Sequence, residues 1–144
     1  MAPAWAAAVE GSGLARALRE SDWLYPAVET AHIVGFVLVA GAAILFDLRL
    51  LGLGRTQPLE PLARQNQRVA LVVFLLVVAP SGALLFASQA TALVGNRVLW
   101  IKLSLIAVAG LNAALYRLRP GRAAGAVSLA AWLGVIVCGR FLAY

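Results

Sequence analysis

Charge is scarce in this sequence. Asp, Glu, Lys and Arg make up 12% of its 144 residues, about half the share usual in soluble domains. With 62% hydrophobic residues and a mean hydropathy of +0.89, the chain is expected to have lipid rather than water as its main solvent. Its single cysteine, Cys138, excludes an internal disulfide and, lying in an apolar run, reads as inert packing. Met1 is the only methionine, so a thioether- or thiolate-rich copper path has no ligands to build it. There is no glycine-rich phosphate loop, no cysteine pair and no Ser-His-Asp set that the sequence alone supports, so the common nucleotide-binding, thiol-redox and triad chemistries are not expected. No ring of repeated polar residues marks a pore, so a channel would require oligomerisation.

Acidic residues are also few. Twelve basic residues, eleven of them arginine, stand against six acidic ones, for a net charge of +6. No basic stripe is interleaved with aromatics, so nucleic acid is not an expected partner. Most arginines instead flank apolar runs, as topology signals and headgroup contacts do.

What the chain does have is long hydrophobic runs, and the most informative covers residues 23–53. It is long enough to cross a bilayer, yet it carries Glu29, His32, Asp47 and Arg49. Ionisable groups within a spanning helix are costly and mark function by default. His32 is the only histidine in the chain.

In chain order, residues 1–22 form a tail in which 14–22 reads as an amphipathic interfacial helix, Leu14 and Leu18 alternating with Arg16, Arg19 and Glu20. The stretch Ala4–Val9 resembles a cleavage site, but no basic segment and apolar core precede it. Residues 23–144 form the membrane domain, with spans expected at about 26–51, 69–87, 98–118 and 123–142. Pro26 suits the first turn of its helix, and Trp23 and Tyr25 suit an interfacial belt. Residues 55–68 and 88–97 read as loops. Pro80-Ser81-Gly82 falls within the second span and predicts a kink there. The fold class is therefore all-α, an integral-membrane four-helix bundle of up-down-up-down topology with a short N-terminal interfacial helix.

The 1–2 and 3–4 connections carry Arg49, Arg55, Arg64, Arg68, Arg117, Arg119 and Arg122. The other side carries Arg16, Arg19, Arg97, Lys102 and Arg140, offset by Glu10, Glu20, Asp22 and Glu29. The positive-inside rule places both termini outside the cytoplasm. His32, six residues past Pro26, then lies about 9 Å along its helix, and Lys102, five past Arg97, about 7–8 Å along its own. Arg140 approaches from the end of the fourth span. Glu29, His32, Phe36, Val39, Ala43 and Asp47 share a stripe, and Gly35 borders it, leaving room beside His32.

These residues support more than one reading. Lys102 snorkelling to the interface, Glu29 paired with Lys102 or Arg140, and His32 as an interhelical hydrogen-bonder make a structural account. Asp47 and Arg49 read as a charge pair setting helix depth, and Trp132 and Tyr116 as packing and belt residues. A neutral imidazole beside small residues is equally an axial haem ligand, with Lys102 opposite or meeting a propionate, as Arg140 would. Glu29 and His32 also form a Glu-x-x-His pair of the kind that di-iron bundles use. One such motif is present, so a metal site on Glu29 and His32 requires a second subunit.

The run Trp23-Leu24-Tyr25-Pro26-Ala27-Val28-Glu29-Thr30-Ala31-His32-Ile33-Val34-Gly35, followed by Phe46-Asp47-Leu48-Arg49-Leu50-Leu51-Gly52, resembles a family of small bacterial inner-membrane proteins with four spans and no established activity. Lys102 and Leu111-Asn112-Ala113 extend the likeness over nearly the whole chain. His32, Arg49 and Trp100-Ile101-Lys102 are also distantly similar to the four-helix haem-binding protoporphyrinogen oxidases, and the chain looks a little like the membrane domain of copper-resistance D proteins. The oxidase likeness implies haem b near His32 and Lys102. The further histidines of that family, at the ends of the first and third helices, are absent, and Arg117 stands where one would be sought.

The expectation is thus a bacterial inner-membrane protein in contact with the lipid bilayer. His32, Lys102, Arg140 and Glu29 are the candidate haem b residues, and a quinone or periplasmic redox partner would exchange electrons. A non-catalytic, partner-docking subunit, periplasmic copper or other metal handling, and homo-oligomerisation are the alternatives.

Overall fold

The computed structural model describes every residue except Arg55, Gln57 and Tyr144. The chain is all-α. It runs through α1 (Ala4–Glu10), α2 (Gly13–Glu20), α3 (Leu24–Leu51), α4 (Leu59–Val73), a widened turn (Phe74–Val78), α5 (Ala79–Ser88), α6 (Ala90–Val94), α7 (Arg97–Tyr116) and α8 (Arg122–Leu142). Among the described residues, four helical segments are long and apolar enough to cross a membrane: Leu24–Leu51, Leu59–Ser88, Arg97–Tyr116 and Arg122–Leu142. Lipid contact explains why Leu38, Leu45, Leu76, Leu111 and Phe141 stay exposed, since lipid tails solvate leucine as well as a protein core does.

Two sequence expectations change. Residues 55–68 are not a loop throughout, because α4 already begins at Leu59, so the second span starts about ten residues before Val69. Glu60 stands in its first turn, where a carboxylate suits the helix dipole. Arg55 lies outside the described residues. Residues 88–97, expected to be a loop, contain α6.

The contacts divide the chain into two compact units. One comprises Met1–Val37 with Val72–Arg97; the other comprises Leu38–Leu71 and the chain from Val98 on.

In the first unit, residues 1–22 hold two helices rather than one. Ser12 caps α2 by accepting from Ala15 N–H, as a serine at that position should. Both helices pack on α5, and α1 also on α6. Trp5 stacks on Phe86, ring centroids 6.4 Å apart. Arg19 donates to Ser88 O at 3.0 Å. Glu10 Oε2 accepts from Thr91 N at 2.8 Å and Thr91 Oγ1 at 2.6 Å, taking the place of a capping side chain that α6 itself lacks. Those two bonds and the Trp5–Phe86 stack tie α1 to α5 and α6.

In the second unit, α7 and α8 run antiparallel. Asn112 donates to Ala124 O at 2.9 Å, Leu105 lies against Gly134, and Lys102 Nζ lies near Gly139. Small residues permit this close approach, as is usual where helices meet in lipid. A Cβ at Gly125 would come within 3.0 Å of Leu50 Cβ and 3.3 Å of Asp47 O. Phe46 and Tyr116 meet edge to face at 5.4 Å, so Tyr116 is a packing residue. Asn66 and Gln67 of α4 turn inward to Ala42 O and Ala113 O, satisfying polar side chains that lipid would not.

Candidate functional site

At Pro80, where the sequence predicts a kink, the helix changes its hydrogen bonding. Proline has no N–H to give to the helix ladder, and the turn just before it widens, with Ala79 N–H reaching back to Phe74 O. Such widened turns are common at functional positions. They also strand carbonyls. Here Ser81 Oγ donates to Val77 O and, at 3.2 Å, to Val78 O.

His32 enters this disturbed segment from α3. Its Nδ1 lies 3.1 Å from Val78 O and 2.9 Å from Ser81 Oγ. A carbonyl oxygen can only accept, and the Ser81 hydroxyl has spent its hydrogen on the backbone, so Nδ1 carries the proton. In the neutral ring the lone pair is then on Nε2. A backbone carbonyl on one ring nitrogen is also what sets the tautomer of metal-ligating histidines.

Gly82 completes the setting. A Cβ there would come 3.0 Å from His32 Cε1, so glycine lets the α5 backbone lie against the ring edge without displacing it. The space expected from Gly35 serves a different purpose: a Cβ at Gly35 would meet Val77 Cγ1 at 2.8 Å and Val78 Cγ2 at 3.1 Å. Gly35 brings α3 onto the widened turn, and Gly82 admits the imidazole.

The other candidates divide between the units. Glu29, in the same unit as His32, is exposed, whereas His32 is half-buried, so the two members of the Glu-x-x-His pair have different surroundings. No group of three or more His, Cys, Asp or Glu that could hold a metal ion occurs among the described residues. Lys102 and Arg140 belong to the second unit. Lys102 is half-buried and reaches toward α8, its Nζ 3.9 Å from where a Cβ of Gly139 would be. Arg140 is exposed in the last turn of α8, where a cation suits the helix dipole.

Asp47, read from the sequence as one half of a charge pair with Arg49, lies in the second unit. It is only 2% exposed and takes a hydrogen bond from Ser128 of α8, while its Oδ2 has no partner. Trp132 is buried, in keeping with a packing role. The contributions of Ser81, Gly82 and Ser128 were not singled out from the sequence. Pro80-Ser81-Gly82 carried the signal, in that a serine next to a proline kink can supply the hydrogen bond that the proline removes.

The chain matches none of the family models, curated proteins or solved structures with which it was compared. Its class is that of an all-α membrane protein, with four helical segments among the described residues long and apolar enough to span.

Proposed function

We propose that this is a small multi-pass protein of the bacterial inner membrane, both termini periplasmic, that binds haem b through His32 and exchanges electrons with a quinone or periplasmic partner. The observation supporting this is the fixed imidazole: Nδ1 is held by Val78 O and Ser81 Oγ, so Nε2 is the ligating nitrogen. The donor chemistry fits, since a neutral imidazole is a common axial ligand for haem iron. Glu29, three residues before His32 on α3, balances charge there. Bound haem supplies one-electron redox chemistry; the chain orients the ligand and surrounds it with apolar side chains.

A second reading rests on the same bonds. Val78 O lies in the segment disturbed by Pro80, so His32 also serves as a pin that satisfies that carbonyl and joins α3 to α5. In that case the chain is a non-catalytic membrane subunit that docks a partner. Copper or other metal handling through Glu29 and His32 would need ligands from a second copy.

The test is the visible spectrum of protein purified in mild detergent from haem-replete cells, oxidised and dithionite-reduced. A stoichiometric Soret band that shifts on reduction and disappears in His32→Ala is the expected result. A colourless preparation, or a band unchanged in His32→Ala, refutes haem ligation by His32 and leaves the pin.

A further inference from the structure

The second unit carries a basic concavity that the haem reading does not use. Pro61, Arg64, Gln65, Arg68 and Val69 of α4 line an open cavity of about 500 Å³. Their spacing of three and four puts them on one helix face. The neighbouring polar residues are turned away from it: Asn66 and Gln67 donate inward to Ala42 O and Ala113 O. Arg64, Gln65 and Arg68 are exposed.

Its level relative to the bilayer follows from the sequence of α4. Val69 opens the apolar run Val69-Ala70-Leu71-Val72-Val73-Phe74-Leu75-Leu76-Val77-Val78, so Val69 is at the edge of the hydrocarbon. Arg68 and Arg64 stand about 1.5 and 7.5 Å further out along the helix axis, which is the depth of lipid phosphates. Two arginines four residues apart, with Cβ atoms about 5–6 Å from each other, can grip one phosphate from two sides, and arginine does so through paired N–H donors. Exposed charge in this unit is mostly basic, with Arg117, Arg119 and Arg122 also exposed. The acidic group facing them is Glu60, whose Oε2 lies 3.8 Å from Arg64 Nη2 in a pair that is 66% and 89% exposed. Such an exposed pair is weak and readily exchanged for another anion.

We propose that the Pro61–Val69 face of α4 binds the headgroup of an anionic phospholipid, with Arg64 and Arg68 clamping the phosphate and Val69 meeting the start of the acyl chains. Glu60 is the internal competitor that the lipid displaces from Arg64.

The test uses the full-length protein in neutral detergent. Its thermal midpoint is followed while phosphatidylglycerol, phosphatidylcholine or inorganic phosphate is added. Phosphatidylglycerol should raise the midpoint saturably, and the other two should not. Arg64→Gln/Arg68→Gln should weaken the apparent phosphatidylglycerol affinity by about 30-fold, from roughly 1 kcal/mol per interfacial arginine, with the midpoint in phosphatidylcholine unchanged. Glu60→Gln should strengthen it. An undiminished phosphatidylglycerol response in the double variant, an equal response to phosphatidylcholine, or an equal response to inorganic phosphate would overturn the proposal. Both arginines are exposed, so the double variant should fold, and Glu60→Gln tests the same site by gain of affinity: no gain there counts against it.

Discussion

His32 Nδ1 lies 2.9 Å from Ser81 Oγ, and Ser81 in turn gives its own hydrogen to the backbone of the widened turn at Val77 and Val78. The serine thus passes the defect created by Pro80 on to the imidazole, and in doing so fixes which ring nitrogen carries the proton.

Ser81→Ala should release the ring. One hydrogen bond to Nδ1 is lost and, if His32 ligates haem as proposed, haem affinity measured by titration should weaken by about 10-fold or more, the usual effect of removing a ligand's supporting partner. Ser81→Thr keeps a hydroxyl at the same place and should restore most of it. Equal retention in Ser81→Ala would mean that Val78 O alone holds the ring.

The two glycines facing this turn should fail differently. Gly35→Ala drives a methyl to within 2.8 Å of Val77 Cγ1 and should cost about 1–3 kcal/mol through overpacking. Gly82→Ala presses on His32 Cε1 at 3.0 Å, a side chain that can rotate away. It should cost less stability but disturb the His32 environment, visible in the imidazole NMR resonances. Equal stability loss with unchanged resonances would contradict this division.

The docking of α1 should depend on pH. Hydrogen bonds from the Thr91 hydroxyl and then its amide hold the Glu10 carboxyl below its ordinary value of 4.5. A lowered folded value means that the contribution is fully present above about pH 4.5 and is lost as pH falls through the folded value. Amide-exchange protection in Ala4–Glu10, corrected for intrinsic rates, should fall over that acid range, and Glu10→Gln should lower it at pH 7. Protection that is insensitive to both would refute the role given to Glu10.

Asp47 and Ser128 should show coupling. Ser128→Ala leaves a buried carboxyl without the hydrogen bond from α8 and should cost about 1–3 kcal/mol. Adding Asp47→Ala removes the group left unsatisfied, so the double variant should be more stable than the sum of the singles. Strict additivity in detergent unfolding would show that the pair does not interact.

Much of the fold could be read from the sequence because a bilayer imposes a simple demand: about 20 apolar residues in a helix with every backbone group satisfied internally. The segments 26–51, 98–118 and 123–142 needed only small shifts. Leu59–Arg68 was harder to read, since its charged and amide residues and two nearby prolines look like a loop until Asn66 and Gln67 find carbonyls on neighbouring helices. The candidate site was half legible. His32 was conspicuous as the lone histidine in an apolar helix, and Pro80-Ser81-Gly82 as a break, but nothing in the spacing joined them, as they are about fifty residues apart.

The sequence by itself determined that this protein is helical, that lipid solvates it, where three of the four apolar spans begin and end to within a few residues, and that His32 is the group whose presence in a span needs explaining. Those properties follow from local composition and the length of apolar runs. Only the tertiary structure decided that His32 meets Val78 and Ser81, that Gly82 rather than Gly35 makes room for the ring, that Glu10 caps a helix eighty residues away, and that Asp47 is buried against Ser128. Each of these is a hydrogen bond or a close approach between distant segments, and such contacts depend on how helix faces rotate and dock, which local pattern does not specify.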